Sequence, residues 1–322
     1  MILIATDEAG YGPKLGPFVV AATVWRLPEP AGVAALAGLS ETVCPAGLPA
    51  VSVADSKQVY RPGSSGGLNA LETIVWAATR WIDPHGRPAT LAELLARTSS
   101  GDLAALRNQP WFAGAALDGP FPGGEPIRKA AEDIAAAVLP VWRREGAELL
   151  EVRQRILAAR CFNGQLQRGI NKAQLLSETT ADLVVRILRA YPGEAVHIYS
   201  DRHGGRAYYG GLLQHFLPDA QLQILAETAR ESHYQLDEDA RSLQWRFTVK
   251  GDAFAPVSLA SMFAKYTRER LMECFNAYWR RQHGEDLRPT AGYPVDAQRF
   301  LDNIAPAAAR LQIPSEVLVR QR

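Results

Sequence analysis

Acidic residues follow three apolar, β-rich runs of the sequence, at the point where each run ends. Asp7 and Glu8 follow ILIAT at 2–6, Asp201 follows VHIYS, and Asp252 ends the run RFTVKGD. Short apolar runs of this composition predict buried strands. Because carboxylates at the ends of neighbouring strands meet at one edge of a sheet, this pattern constrains the fold and predicts an acidic cluster at that edge.

Carboxylates gathered in one place repel one another and raise their own pKa values. Divalent cations remove this cost, and Mg²⁺ prefers carboxylate oxygen while it keeps several of its waters. Two such ions roughly 4 Å apart activate a water and stabilise the leaving oxygen when a phosphodiester is cleaved. The alternative is that these acids are caps and turn residues, which is common for an Asp after a strand. The pattern alone leaves both interpretations open.

The rest of the chain alternates predicted strands with predicted helices, which indicates a mixed α/β sheet flanked by helices. A second β-rich run, PFVVAATVW at 17–25, follows the first through a loop rich in glycine and proline. Apolar residues at helical spacing predict helices at 66–81, 127–143, 170–190, 206–217, 257–281 and 294–304. Further strands are expected at 149–159 and 220–226, with a hairpin formed by 232–236 and 242–252.

Residues 83–148 differ in character from the sequence on either side. Six prolines between positions 84 and 126 interrupt short helical patterns, and GPFPGG at 119–124 predicts a loop. We interpret this segment as a largely helical insertion that packs as a lobe beside the sheet.

Composition narrows the class of protein. The 322 residues suffice for a large core, and a net charge of +1 means that a nucleic-acid partner needs a local basic patch. Cys44, Cys161 and Cys274 form no CxxC pair, which argues against a disulfide framework or a structural zinc site. No apolar run approaches the roughly 18 residues of a membrane helix. We expect a cytoplasmic monomer that has no membrane partner.

Six segments resemble motifs of ribonuclease HII, the type 2 ribonuclease H family, and they occur in that family's order. DEAGYGPKLGPFVVAA at 7–22 is similar to the family's opening pattern DEAGxGxxxGPxVVAA. VKGDAFAPVSLASMFAKYTRERLM at 249–272 is similar to VKGDxxxPxxSAASxxAKxxRDxxM. Shorter matches are ADSKQV at 54–59, INKAQL at 170–175, HIYSD at 197–201 and TAGYPVDAQRFL at 290–301. The chain therefore resembles a divergent member of this family with insertions.

The resemblance implies a ribonuclease H-like α/β fold, with a mixed five-stranded sheet of three antiparallel strands followed by two parallel ones. It implies that Asp7, Glu8, Asp201 and Asp252 are both the catalytic residues and the metal ligands. Two Mg²⁺ or Mn²⁺ ions would be bound during catalysis. The family cleaves the RNA strand of RNA/DNA duplexes and leaves 3′-hydroxyl and 5′-phosphate ends. Residues 1–305 would form the catalytic domain, interrupted by the insertion at 83–148, and 306–322 would form a C-terminal tail.

The chain departs from the family pattern at several points. Tyr11 stands where the family has Arg in a Gly-Arg-Gly loop that reads the ribose 2′-hydroxyl, largely through backbone groups. The His expected after the GYP motif at 292–294 is missing, and the interval between Lys57 and Asp201 is more than double the usual one. We therefore leave strict cleavage at ribonucleotide–deoxyribonucleotide junctions open.

Several residues are candidate contacts for the nucleic acid. Ser56 and Lys57 match phosphate-contacting positions of the family, and Tyr293 matches a Tyr that stacks on a sugar. Residues 242–281 carry seven basic side chains against three acidic ones, which suits a polyanion. The plain alternatives are a solvated Lys, a solvated helix face and a half-buried Tyr beside a turn. The full candidate set is Gly10, Tyr11, Gly12, Ser56, Lys57, Lys265, Arg268 and Tyr293.

Our hypothesis is a metal-dependent endoribonuclease that acts on RNA/DNA hybrids or on ribonucleotides embedded in duplex DNA. One rival is a nuclease of the same fold with another structured DNA or RNA substrate, which the insertion and Tyr11 favour. A rival of another class is a non-catalytic module that binds nucleic acid. The retention of all four carboxylates argues against this second rival, since binding phosphate alone would select against an acidic cluster.

Overall fold

One mixed sheet runs through the protein and carries the acidic residues. The computed structural model describes residues 1–54, 56–60, 68–86, 88–121, 124–238 and 241–321, without the side chains of 57–58 and 124–127. In this part of the chain, seven strands form the sheet in the order β3-β2-β1-β4-β7-β6-β5. Their bounds are β1 Ile2–Ala9, β2 Phe18–Arg26, β3 Glu148–Leu157, β4 Val196–Asp201, β5 Gln221–Glu227, β6 Glu231–Glu238 and β7 Arg241–Thr248.

The strand directions match the predicted topology over five strands. Strands β1, β2 and β3 pair antiparallel, and β4 and β7 continue the sheet parallel to β1. The ribonuclease H-like α/β fold class is therefore confirmed. The predicted count of five strands is wrong, because β6 pairs with the outer edge of β7 and β5 pairs with β6, both antiparallel. This hairpin covers backbone groups that would otherwise form an open edge.

Helices lie against both faces of the sheet. Their bounds are α1 Ser56–Val59, α2 Asn69–Ile82, α3 Leu91–Thr98, α4 Ser100–Arg107, α5 Ala115–Asp118, α6 Gly124–Trp142, α7 Ala159–Gln167, α8 Lys172–Leu188, α9 Gly210–Phe216, α10 Ala255–His283, α11 Pro294–Arg310 and α12 Ser315–Leu318. The six predicted helices are present with shifted ends, and α1, α7 and α12 were not predicted. None of the helices described here has both the length and the apolar character that crossing a lipid bilayer requires.

The two faces of β1 belong to two different buried clusters. Leu3 packs in the cluster that includes α2, α6 and α10, whereas Ile4 packs in the cluster that includes α8 and α9. Because side chains alternate along a strand, Asp7 continues the row of Leu3 and Glu8 continues the row of Ile4. Asp7 is thus on the α10 face of the sheet, and Glu8 is on the α8 face.

The segment 83–148 covers the α10 face of the sheet. Its described residues are mainly helical, as predicted, and only Glu148 enters a strand. Trp111 packs edge-on against Phe275 of α10 with a centroid distance of 5.2 Å, and Trp142 stacks on Trp81 at 6.0 Å. The segment belongs to the same buried cluster as Leu3 and Ala5 of β1. It lies beside the sheet and not within it, and its apolar side chains cover the α10 face that the sheet must bury.

The last part of the chain returns to the loop that follows β1. Helix α11 continues across residue 306, and α12 comes after it. Val319 then pairs with Leu15 in an isolated antiparallel bridge, and the side chains of Leu15 and Leu318 are buried. The described residues of 306–321, predicted as a C-terminal tail, thus form helices and pack against the loop that follows β1.

Candidate active site

The register of the sheet brings the four acidic residues to one edge, called here the acidic edge. Strands β1 and β4 pair in parallel with Thr6 opposite Ser200, so Asp7 and Asp201 follow as neighbours at the next position. Asp201 in turn lies opposite Thr248, the last residue of β7. Asp252 lies in the 3₁₀ turn Gly251–Ala253 that connects β7 to α10. Asp7, Asp201 and Asp252 therefore meet as predicted, whereas Glu8 continues the row of Ile4 on the other face of the sheet. The catalytic roles of all four stay predictions.

The charge of Asp7 depends on this neighbourhood. Burial raises the pKa of Asp7 to about 7, and the charges of Asp201 and Asp252 contribute in the same direction. Hydrogen bonds from the Ser261 side chain and from the Glu8 backbone N–H, at 2.8 Å, act against this rise. Near neutral pH the carboxylate therefore requires a proton or a nearby cation to offset its surroundings.

Asp201 and Asp252 are joined by the turn that follows β7. The backbone N–H of Gly251 donates to Oδ1 of Asp201 at 2.8 Å. A Cβ atom at Gly251 would lie 3.0 Å from the Cα atom of Asp201, so a larger residue would push the two segments apart by a few tenths of an ångström. The Ser258 hydroxyl donates to the backbone oxygen of Asp252 at 2.5 Å, which fixes the start of α10 against the turn.

A buried polar network fixes the strands behind the acidic edge. The hydroxyls of Thr6 and Ser200 are hydrogen-bonded at 2.7 Å, and the indole N–H of Trp245 donates to Ser200 at 3.0 Å. All three side chains are buried. Because a shift of register would leave these polar groups without partners in the core, the network holds β1, β4 and β7 in one alignment.

Arg268 supports the loop formed by residues 10–16, called here the glycine loop. Gly10 has φ +84°, and a Cβ atom there would lie 2.7 Å from both Cδ of Arg268 and the backbone oxygen of Pro17. The Arg268 side chain is 1% exposed and donates to Glu269 and to the backbone oxygen of Ala291, each at 2.9 Å. It lies beneath the loop, which differs from the solvent-facing position that its assignment as a substrate contact supposed.

The glycine loop and the segment around Tyr293 form one continuous surface. The backbone N–H of Lys14 donates to the oxygen of Gly292 at 2.7 Å. A Cβ atom at Gly12 would lie 3.7 Å from the Tyr293 ring, and Tyr293 is 52% exposed. The structure therefore brings together Gly10, Tyr11, Gly12 and Tyr293 from the predicted set.

The other candidate contacts have different surroundings. Ser56 is buried, and its hydroxyl is 3.0 Å from that of Ser261, which also bonds Asp7. Ser56 thus contacts Ser261, the residue that donates a hydrogen bond to Asp7. Lys265 pairs with Glu269 at 2.8 Å. The side chain of Lys57 lies outside the described residues, although its backbone belongs to α1.

Arg320 contributes to this region and was not predicted. Its backbone N–H donates to the oxygen of Lys14 at 2.8 Å, and its guanidinium donates to the oxygen of Pro13. The residue is 2% exposed, and its guanidinium lies 5.0 Å from the Phe162 ring. Burial lowers the pKa of Arg320 to about 9, and the charge of Arg268 adds to this effect. A lone Arg near the end of a sequence gives no sign of such a role.

Replacing Arg320 by Met should loosen the glycine loop. The change removes a charge-assisted hydrogen bond, so we expect amide hydrogen exchange within residues 10–17 to accelerate by about 10-fold. Hydrogen-exchange mass spectrometry measures this directly. Arg310→Met is the matched control, because Arg310 is exposed and donates to the backbone oxygen of Gln282. Unchanged exchange in 10–17 would contradict the proposed support.

The donor chemistry of the acidic edge suits a hard divalent cation, since carboxylate oxygens are the ligands that Mg²⁺ and Mn²⁺ prefer. Over the ranges that the structure describes, no group of three or more His, Cys, Asp or Glu side chains is arranged to hold a metal ion. Asp7 instead accepts a hydrogen bond from Ser261, and Asp201 accepts one from the backbone N–H of Gly251. The sheet register and the turn after β7 nonetheless bring Asp7, Asp201 and Asp252 to one edge, where the charges of Asp201 and Asp252 raise the pKa of Asp7.

Among known proteins, the chain matches solved structures but neither family models nor curated proteins. Solved structures of ribonucleases HII, H2 and HIII resemble it. They include RNase HII in its PCNA complex from Archaeoglobus fulgidus, with 15% identity, a TM-score of 0.43, and coverage of 100% of this chain and 95% of that one.

Two further structures resemble the chain to a similar degree. For ribonuclease H2 from Pyrococcus horikoshii OT3 the identity is 15%, the TM-score 0.42, and the coverage 99% and 92%. For Bst-RNase HIII in complex with Mn²⁺ the identity is 14% and the TM-score is 0.41. The match covers 99% of this chain and 66% of that one. TM-scores this low say nothing about the site, so its chemistry has to be judged from the residues of this chain.

Proposed function

We propose that the protein is a divalent-metal-dependent endonuclease. It cleaves the RNA strand of RNA/DNA hybrids, or ribonucleotides embedded in duplex DNA, and leaves 3′-hydroxyl and 5′-phosphate ends. The convergence of Asp7, Asp201 and Asp252 at one edge of the sheet carries the proposal. The pKa of Asp7, raised mainly by burial and further by the charges of Asp201 and Asp252, supports it, because such carboxylates are typical of a site whose charge is balanced by metal ions.

Asp7, Glu8, Asp201 and Asp252 would hold two Mg²⁺ or Mn²⁺ ions. When bound, the ions supply an activated water and neutralise charge on the phosphate. The protein groups around them orient the ligands. Ser261 and the Glu8 backbone N–H direct the Asp7 carboxylate, and the Gly251 N–H directs Asp201.

The glycine loop and Tyr293 would recognise the sugar at the cleavage position. Backbone groups at 10–12 are well suited to reading a 2′-hydroxyl, because glycines at both ends let the chain approach a ribose closely. The 2′-hydroxyl is the group that distinguishes RNA from DNA at a given position. The exposed ring of Tyr293 lies beside Gly12, where it would stack on the adjacent sugar. Lys57 and Lys265 would contact the phosphates.

A cleavage assay on matched duplexes tests this function. The substrates share one sequence and carry one, four or no ribonucleotides, and each is incubated with Mg²⁺, with Mn²⁺ or with a chelator. We expect metal-dependent cleavage of the ribonucleotide-containing strands alone. Equal cleavage of the all-DNA duplex would favour the nuclease for another structured substrate. Tight binding without any cleavage would favour the non-catalytic binding module.

Replacing Tyr293 by Ala should lower kcat/KM for a duplex with one ribonucleotide by roughly 10-fold, as expected for the loss of one stacking contact. Tyr293→Phe should stay close to the wild type, because the ring and not the hydroxyl makes the contact. Val295→Ala is the control for a nearby exposed side chain, since Val295 is 90% exposed. Equal rates for wild type and Tyr293→Ala would rule out the stacking role.

A further inference from the structure

Lys172 and Tyr11 are in contact although they lie far apart in the sequence. Nζ of Lys172 is 4.8 Å from the centroid of the Tyr11 ring, a distance typical of a cation–π interaction. The Tyr11 ring packs edge-on against Phe18 at 6.5 Å, and Phe18 packs against Phe162 of α7 at 6.1 Å. A row of aromatic rings thus extends from the core to the glycine loop and holds the ring that faces the ammonium.

The position of Lys172 is fixed by the start of α8. The Asn171 side chain accepts from the backbone N–H of Gln174 at 2.9 Å, which caps the helix and makes Lys172 its first residue. Further along α8, the Ser177 hydroxyl lies 3.1 Å from Nδ1 of His203, two residues after Asp201. The first turns of α8 therefore reach from the glycine loop to the acidic edge.

This contact concerns Tyr11, one of the positions at which the chain departs from the family it resembles. In that family the matching loop is Gly-Arg-Gly, with a positive charge at its middle position. Tyr11 stands at this position here and provides no charge. Lys172 brings an ammonium to the loop from a different element of the fold. An ammonium binds phosphate as a point charge, so it does not need the planar geometry of a guanidinium.

We propose that Lys172 contacts a backbone phosphate of the bound duplex beside the glycine loop, and that Tyr11 is a positioning residue for its ammonium. This inference rests on the proposed function, because it requires a nucleic-acid duplex at the acidic edge. Lys172 was not among the predicted contacts, since a Lys at the start of a helix is usually solvated.

The salt dependence of binding tests the role of Lys172. The probe is a 20-base-pair RNA/DNA hybrid, with Ca²⁺ in place of Mg²⁺, and Kd is measured between roughly 50 and 200 mM salt. For Lys172→Gln we expect the slope of log K against log salt to fall in magnitude by about 0.9, the value for one lost phosphate contact. Lys172→Arg should keep the wild-type slope, and so should Lys129→Gln, a control at an exposed position of α6.

A double-mutant cycle tests the role of Tyr11. Tyr11→Leu should raise Kd about 2- to 5-fold in the wild-type background, the equivalent of one exposed cation–π contact. It should have little effect in the Lys172→Gln background, because the ammonium that the ring positions is then absent. Equal effects in both backgrounds would remove the positioning role of Tyr11.

The outcomes separate this inference from the proposed function. A folded Lys172→Gln variant with the wild-type slope would overturn the phosphate contact while leaving the proposed function intact. Lys172→Met, which keeps the aliphatic stem, replaces the Gln variant if the latter does not fold. If the wild-type protein binds neither the hybrid nor a matched DNA duplex, the proposed function fails, and this inference fails with it.

Discussion

Asp7→Asn is expected to abolish metal-dependent cleavage and, in metal-free buffer, to make the folded protein more stable than the wild type. The rate should fall by about 10³-fold, because the change removes anionic charge from the site that holds the cations. The gain in stability follows from the pKa of Asp7, which burial and the nearby carboxylates raise to about 7. An active site that costs stability is a common trade-off in enzymes.

The dependence of this gain on pH has a defined sign. The pKa of Asp7 rises from 3.8 to about 7 on folding, so its contribution to stability is complete below pH 3.8 and is lost as the pH rises through about 7. Asn does not titrate. The difference in thermal midpoint between Asp7→Asn and wild type should therefore grow with pH and reach roughly 3–6 °C above pH 7. Calorimetry with a chelator between pH 5 and pH 8 measures it.

Two controls separate the metal site from general charge effects. Mn²⁺ should raise the thermal midpoint of the wild type and have much less effect on Asp7→Asn, because a ligand that binds the folded state stabilises it. Asp219→Asn, at an exposed position, should leave both activity and midpoint unchanged. Asp252→Asn should lose activity as Asp7→Asn does. If folded Asp7→Asn and Asp252→Asn both cleaved the substrate as fast as the wild type in metal-free buffer, the mechanism would be refuted.

Loss of Arg270 should destabilise the protein by about 3–5 kcal/mol, the usual cost of breaking a buried ion pair from one side. Arg270 of α10 pairs with Glu72 of α2, and their side chains are 7% and 2% exposed. Burial raises the pKa of Glu72, and the charge of Arg270 opposes this rise. Without Arg270 the carboxylate would be left in the core with no counter-charge. Urea unfolding of Arg270→Met measures the loss.

The second partner makes this prediction specific to the ion pair. Glu72→Leu combined with Arg270→Met should be far less destabilised than Arg270→Met alone, because apolar side chains of similar size suit a buried position. Glu273→Gln should cost less than about 0.5 kcal/mol, because its side chain is 52% exposed and forms a surface pair with Arg270. If the double variant is as unstable as the single one, the loss arises from packing and not from charge.

Much of the sheet could be predicted because β1 and β2 are buried on both faces and appear in sequence as apolar runs, whereas β4 alternates buried with partly buried positions. The runs at β1 and β4 lead to Asp7 and Asp201. The pairing of β6 with β7 could also be predicted locally, as the hairpin of 232–236 and 242–252. The position of β5 at the outer edge of β6 could not, because that pairing depends on how the folded chain brings the two strands together.

The supporting residues of the site could not be predicted from their own sequence. Glu72 and Arg270 are separated by 198 positions, and neither segment gives any sign that its charge is buried. Arg268 lies in a basic stretch that suggests a solvated or phosphate-binding face, yet it is covered by the glycine loop. A charged residue is normally exposed. Its burial depends on partners that only the folded chain brings to it.

The contact of residues 315–321 with the glycine loop also has a consequence during synthesis. The ribosome makes β1 and the loop first, and it makes Val319 and Arg320 some three hundred residues later. Until then, Leu15 lacks its bridge to Val319, and the oxygens of Pro13 and Lys14 lack their donors from Arg320. A growing chain therefore carries Asp7 and Glu8 beside a loop that lacks these contacts while the intervening residues are made. The contacts of the loop with Val319 and Arg320 form only after translation has passed Arg320.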